Sequence, residues 1–280
     1  MAPIMVRSGL ERRSSFRRLV LAAPLLAVVG CGGTPDQADL ASASSAIVGE
    51  NALSMNALSM NALSMNALSM NALSMNALSM NALSMNALSM NGLRDPLARE
   101  LLTYIVSCAL DDDQDIKLTI DGTKYDFAGS LGLAPQWGKK NGSCDGSCQR
   151  WVSACVLARV DAAGVHRPIS MRGLNPALRP DPGELTGFTD REAAYYGNIF
   201  IPGAPKYLCL SPGKTSDTRV CGDSLASCPM TVEGSCDHAC AFEGPYGAFS
   251  VCSDTGTFPA RGQGRLYPES ITVYLPKSAM

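Results

Sequence analysis

The sequence predicts an α+β domain, stapled by disulfides, over residues 95–280. Three observations carry this reading. Helical periodicities concentrate early in that stretch and strand-like runs late, so the two element types are segregated rather than alternating. Ten of the eleven cysteines lie within it, an even set suited to pairing. The region's 186 residues are enough for one domain burying ~70% of its chain surface.

Asp95-Pro96 supplies an N-cap and an N1 proline. Leu97, Leu101, Ile105 and Cys108 then recur at helical spacing, which predicts a helix to about Leu110. Ile116, Leu118 and Ile120 alternate as a strand, Asp121-Gly122 turns it, and Tyr125 and Phe127 continue it as a hairpin. After a Gly- and Ser-rich loop, Trp151, Val152, Cys155 and Val156 mark a second helix expected to reach about Ala162. Thr189-Asp190-Arg191-Glu192 reads as a capping box opening a short helix through Tyr196, with Gly197 as its stop. Ile199-Phe200-Ile201, Tyr207-Leu208-Cys209-Leu210 and Ile271-Thr272-Val273-Tyr274-Leu275 are strand candidates.

The related strings Val106-Ser107-Cys108 and Val152-Ser153-Ala154-Cys155 place one cysteine on each early helix. They predict a Cys108–Cys155 bridge across the helix packing. Cys144 and Cys148 can close on each other in the loop. Cys209, Cys221, Cys228, Cys236, Cys240 and Cys252 are expected to pair within the C-terminal third, with the connectivity open.

Ahead of this domain, residues 51–90 repeat Asn-Ala-Leu-Ser-Met eight times without substitution, and a degenerate ninth start, Asn91-Gly92-Leu93, follows. On an α-helix a five-residue period advances each leucine by a net ~140°, so no apolar stripe forms. On a flat strand an odd period throws successive leucines to opposite faces. Aligned on leucine, the tract resembles the pentapeptide-repeat β-helix family, although Asn and Ala stand in exchanged places. That resemblance implies a short square solenoid of two coils; the alternative is a spacer with no single conformation.

The charge balance is uneven. Residues 1–30 hold Arg7, Arg12, Arg13, Arg17 and Arg18 against one glutamate, and the rest of the chain is mildly acidic. No Lys/Arg run offers the footprint that phosphate-backbone binding needs, so nucleic acid is not an expected partner. The apolar run 19–29 is far shorter than the ~20 residues a membrane span requires and suits a signal-peptide core.

Val28-Val29-Gly30-Cys31 follows that run and resembles the lipobox of bacterial lipoproteins. The resemblance implies cleavage before Cys31 and a lipid on its sulfur, making the membrane a partner. Gly32 and Gly33, in place of an aspartate, imply passage to the outer membrane. Residues 1–30 are thus a signal peptide, 31–50 a flexible tether and 51–93 the repeat tract. The whole layout resembles uncharacterised bacterial lipoproteins that carry Asn-Ala-Leu pentapeptide tracts ahead of a Cys-rich domain, a resemblance that implies architecture and no activity.

Chemistry-bearing strings are few. Gly222-Asp223-Ser224-Leu225 resembles the nucleophile block of GDSL esterases, which implies Ser224 as a nucleophile. It lies late in the domain, and His238 lacks the aspartate three places earlier that the family uses. His166 stands in a strand-like segment without an identifiable partner. Cys236, His238 and Cys240 have zinc-ligand character, but an oxidising compartment favours bridges, so no metal is expected. Asp111-Asp112-Asp113-Gln114-Asp115 begins like an EF-hand loop but lacks the glycine and glutamate such a loop needs. Trp137, Trp151, Tyr195 and Tyr196 could stack on sugars or form core. No cofactor motif is present in the sequence.

The resulting expectation is a non-catalytic cell-envelope lipoprotein whose domain contacts an envelope protein or polysaccharide. The alternative is an envelope hydrolase using Ser224 with a histidine.

Overall fold

The computed structural model describes residues 92–139, 142–201, 203–214, 219–221 and 225–277. Cys31, the repeat tract 51–90 and Ser224 lie outside the described residues.

The degenerate ninth repeat contributes a residue to the core. Leu93 is fully buried in the main core. The Asp95 amide bonds the Gly92 carbonyl at 3.1 Å, and Arg99 Nη1 donates to the carbonyls of Leu93 and Arg94 at 2.7 Å each. Leucine at the repeat's apolar position thus has a seat in the domain core.

Helix α1 spans Pro96–Ala109, with the Asp95 carboxylate accepting from Leu97 N at 2.9 Å. It buries Leu101, Leu102, Ile105 and Cys108. Strands β1 (Asp115–Ile120) and β2 (Thr123–Ala128) form the hairpin, and Ile116, Leu118 and Ile120 point inward. Asp121 and Gly122 both take positive φ, 49° and 83°, as a two-residue hairpin turn requires.

The chain then returns along the end of α1. The amides of Ser130, Leu131, Leu133 and Ala134 bond the carbonyls of Leu110, Ser107, Cys108 and Ala109 at 2.7–3.1 Å. A helix C-terminus leaves about four carbonyls without intrahelical partners, and this segment supplies them. Gly129 leads into it, where an added Cβ would stand 2.1 Å from the Asp111 carbonyl oxygen.

Helix α2 spans Gly146–Ala158, capped by the Asp145 carboxylate on Cys148 N at 2.8 Å. It starts earlier and stops earlier than periodicity suggested. The cap lies inside the Gly- and Ser-rich loop, and the last carbonyls turn to side-chain partners described below.

The remaining strands are β3 (Ser170–Gly173), β4 (Phe188–Gly197), β5 (Lys206–Leu210), β6 (Thr231–Ser235), β7 (Cys240–Glu243), β8 (Phe249–Ser253), β9 (Leu266–Tyr267) and β10 (Ile271–Pro276). Short helices α3 (Pro182–Gly187) and α4 (Cys236–Ala239) interrupt them. A five-stranded sheet runs in the order β3-β10-β4-β5-β6, antiparallel except for the parallel β5–β6 pair. A three-stranded sheet has the order β7-β8-β9. Helix α2 packs on β4 and β10.

Two expectations are corrected here. The stretch after Thr189 is the central strand β4, not a helix. Ala193 and Tyr195 join the core shared with α1 and α2, while Ala194 and Tyr196 join a second core with Phe249, Tyr267 and four cysteines. Burial of both faces gives a continuous apolar run, which periodicity cannot tell from a buried helix. Ile199-Phe200-Ile201 is a turn, not a strand. The Asn198 side chain accepts from Phe200 N, and Ser153 Oγ accepts from Ile199 N, both at 3.0 Å.

Five disulfides join Cys108–Cys155, Cys144–Cys148, Cys209–Cys236, Cys221–Cys228 and Cys240–Cys252. Cys108–Cys155 ties α1 to α2, Cys209–Cys236 ties β5 to α4, and Cys240–Cys252 links an in-register pair on β7 and β8. The class this fold defines is a disulfide-stapled α+β domain, which matures where thiols are oxidised, outside the cytoplasm. Among the described residues no helix is long and apolar enough to cross a membrane.

Glu184, on α3, is 5% exposed, and neither of its carboxylate oxygens has a hydrogen-bond partner among the described residues. Burial pushes its carboxyl above the ordinary value, against the pull of nearby Ser170 and Arg172. A folded-state value raised in this way contributes stability that is complete below the unfolded pKa of ~4.3 and is lost as pH rises through the folded value. Glu184→Gln is therefore expected to stabilise the domain by ~1 kcal/mol at pH 7, with the gain fading at pH 4. Urea midpoints at the two pH values check this; an equal gain at both would show that the charge is not the cause.

Candidate functional site

A cleft of about 430 Å³ opens between α1, the end of the hairpin and the end of α2. Glu100, Thr103, Tyr104 and Ser107 line it from α1, Asp126, Gly129 and Ser130 from the hairpin side, and Arg159 from the C-cap of α2. Arg159 is only 2% exposed, and its Nη1 donates to Ser107 Oγ at 2.8 Å.

The cleft is built by the helix bridge. Ser107 precedes Cys108, and Arg159 follows Cys155 by one helical turn, with its amide on the Cys155 carbonyl at 3.2 Å. The Cys108–Cys155 bond thus holds the hydroxyl and the guanidinium on facing walls. The cleft brings together a buried cation, several hydroxyls and two carboxylates. Asp126 is exposed, with its carboxylate 3.6 Å from Lys117 Nζ.

On the other side of the α2 terminus lies a fully enclosed ion pair. Arg219 Nε stands 3.3 Å from Glu192 Oε2, and both side chains are 2% exposed. The Arg219 guanidinium also donates to the carbonyls of Ala158 and Val160. The Tyr195 hydroxyl donates to Glu192 Oε2 at 3.1 Å, and the Arg219 amide reaches Glu192 Oε1 at 3.2 Å. Burial, reinforced by the Glu192 charge, pushes the Tyr195 phenol well above its usual value. Here a cation neutralises the negative end of α2 and completes its orphan carbonyls. Its role is architectural.

A second ion pair joins α2 to the segment before β10. Arg150 donates to both oxygens of Glu269 at 2.7 and 2.9 Å, and Ser147 Oγ adds a third bond at 2.5 Å. Burial raises the Glu269 carboxyl, but the bonds from Arg150 and Ser147 outweigh it and hold the group below its ordinary value.

The residues singled out in the sequence are dispersed. His166 is exposed in an irregular segment, not in a strand, beside the Arg167–Asp161 pair at 3.1 Å. His238 is exposed on α4. Cys236 and Cys240 flank it but are bridged to Cys209 and Cys252, so they are not free thiolates. The sulfurs of Cys209, Cys240 and Cys252 do cluster, because the two bridges touch, with Cys209 Sγ 3.6 Å from Cys240 Sγ. Trp137, Tyr195 and Tyr196 are buried core rather than ligand platforms. Asp111, Asp112 and Asp113 form an exposed turn after α1.

Sequence reasoning passed over Arg159. Its signal was a lone charge within the apolar string Cys155-Val156-Leu157-Ala158-Arg159-Val160. A long cation there must be buried with partners or aimed into a polar space.

No family model, curated protein or solved structure matches the chain.

Proposed function

We propose that this chain is a non-catalytic cell-envelope lipoprotein, whose domain contacts an envelope protein or polysaccharide through the Arg159 cleft. The lipid on Cys31 anchors it to the outer membrane, and residues 31–91 give the domain reach. The observation that carries this reading is the cleft itself, which sets hydroxyls and charged groups beside the bridge between α1 and α2. The five disulfides support an oxidising compartment, and the lipobox resemblance of residues 28–31 supports the anchor.

Crosslinking on intact cells tests the role. The expected result is one reproducible partner, protein or polymer, recovered with the native chain. Thr103→Trp, which places an indole at the exposed cleft wall, should abolish its recovery. Cys31→Ala should release the protein from the membrane fraction. Failure to recover any reproducible partner would remove the interaction role, and continued membrane retention of Cys31→Ala would remove the lipid anchor.

A further inference from the structure

Four cysteines of the second core form one contiguous cluster. Cys209 on β5 is bonded to Cys236 at the start of α4, and Cys240 at the start of β7 is bonded to Cys252 on β8. The two bridges touch. Cys209 Sγ stands 3.6 Å from Cys240 Sγ, and the sulfurs of Cys209, Cys240 and Cys252 lie within 4.8 Å of one another. Thiol–disulfide exchange needs a thiolate within reach of a disulfide sulfur, and well-placed intramolecular attack proceeds from ~3–3.5 Å. We propose that these two bridges act as one exchange unit, a redox-sensitive switch in which reduction of either bridge by a dithiol leads to the same new bond, Cys209–Cys240.

Cys240 is 5% exposed and the other three are 0% exposed, so the dithiol enters at Cys240. One thiolate of the reductant attacks Cys240 Sγ, and Cys252 leaves as a thiolate. The reductant's second thiolate attacks its own sulfur in that mixed bond, closes a cyclic disulfide and releases Cys240. Cys240 then attacks Cys209 Sγ, the Cys209–Cys236 bond breaks, and Cys236 leaves. The two protons of the dithiol end on Cys252 and Cys236. Reduction at Cys209–Cys236 converges on the same state, because Cys209 then attacks Cys240 and Cys252 leaves.

The exchange changes which elements are tied. In the oxidised form one bridge joins β5 to α4, and the other lies within the three-stranded sheet. Cys209–Cys240 instead joins β5 of the five-stranded sheet directly to β7 of the three-stranded one, while α4 loses its bond to β5 and β7 its bond to β8. The second core thus keeps one covalent tie after a two-electron reduction.

Single replacements test the contact without any reductant, made in the Cys31→Ala chain, which lacks the one cysteine outside the domain. Cys236→Ser leaves an odd thiol at Cys209, and exchange should shift part of it to Cys252. Cys252→Ser leaves it at Cys240, and exchange should shift part of it to Cys236. Acid protonates thiolates and halts exchange; free cysteines are then alkylated and located by peptide mass mapping. Cys148→Ser is the control, and its odd thiol should stay at Cys144. Where a single variant folds poorly, Cys236→Ser with Cys252→Ser serves in its place: Cys209 and Cys240 should bond, with loss of all labelling among the remaining cysteines. In the chain with all ten domain cysteines, clusters reduced by dithiothreitol should carry label on Cys236 and Cys252 together, with a Cys209–Cys240 peptide in the non-reduced digest.

Label confined to Cys209 in the first variant and to Cys240 in the second would overturn the proposal. So would label on Cys209 and Cys240 in the double variant, or a reduced cluster without the Cys209–Cys240 peptide. Migration of the odd thiol in the Cys148→Ser control would also overturn it, since that is general scrambling and not a property of the touching bridges.

Discussion

Arg219→Ala is expected to destabilise the domain by ~3–5 kcal/mol, because it strands the Glu192 carboxylate in the core without its countercharge. The loss has two parts. Glu192 is 1% exposed and, among the described residues, its carboxylate keeps only the Tyr195 hydroxyl and the Arg219 amide as hydrogen-bond partners. The carbonyls of Ala158 and Val160 also lose their donor at the end of α2. Glu192→Ala should cost a similar amount by stranding the guanidinium instead. The double replacement Glu192→Leu with Arg219→Met should cost much less than the two single losses together, since a buried pair exchanged for apolar groups of similar volume is often near neutral. Urea unfolding of the oxidised protein measures all three. Additive single and double losses would show that the groups are not coupled.

The Cys108–Cys155 bridge should be worth far more than Cys144–Cys148. The first closes a sequence separation of 47 and the second one of 4. Chain-entropy scaling gives ~4 kcal/mol for the long loop and ~2 kcal/mol for the short one. Removing the long bridge as Cys108→Ser with Cys155→Ser also frees α1 from α2, and with them the Ser107–Arg159 contact in the cleft. The pair should therefore lose both stability and crosslinked partner, whereas Cys144→Ser with Cys148→Ser should keep the partner. Denaturation midpoints of the two double variants, set beside crosslink recovery, check this. Equal midpoint shifts would indicate that native contacts, not loop closure, set the worth of the bridges.

How far the fold was legible depended on local signals. α1 was readable because Asp95-Pro96 caps it and one apolar face repeats at helical spacing. The first hairpin was readable because its strands bury one face and Asp121-Gly122 suits the turn. β4 was not. Its residues Ala193–Tyr196 face two cores at once, so the alternation that marks a strand disappears. Thr189 to Glu192 meanwhile imitate a helix start. The segment 130–134 that completes the end of α1 carries no signal at all, because its bonds go to backbone thirty or fewer residues away rather than to any motif.

The site was less legible than the fold. Cys108 and Cys155 stood out by residue type, but Arg159 gains its meaning only when the bridge brings it against Ser107.

By itself the sequence determined the properties that depend on composition and local chemistry: an α+β domain rich in cysteines, its capped first helix and its first hairpin. Tertiary structure decided which cysteine meets which in the C-terminal third, that β4 is a strand buried on both faces, and that a lone arginine lines a cleft between the two helices and the hairpin. Those outcomes rest on long-range packing, where a residue's role is set by partners that periodicity and spacing along the chain do not encode.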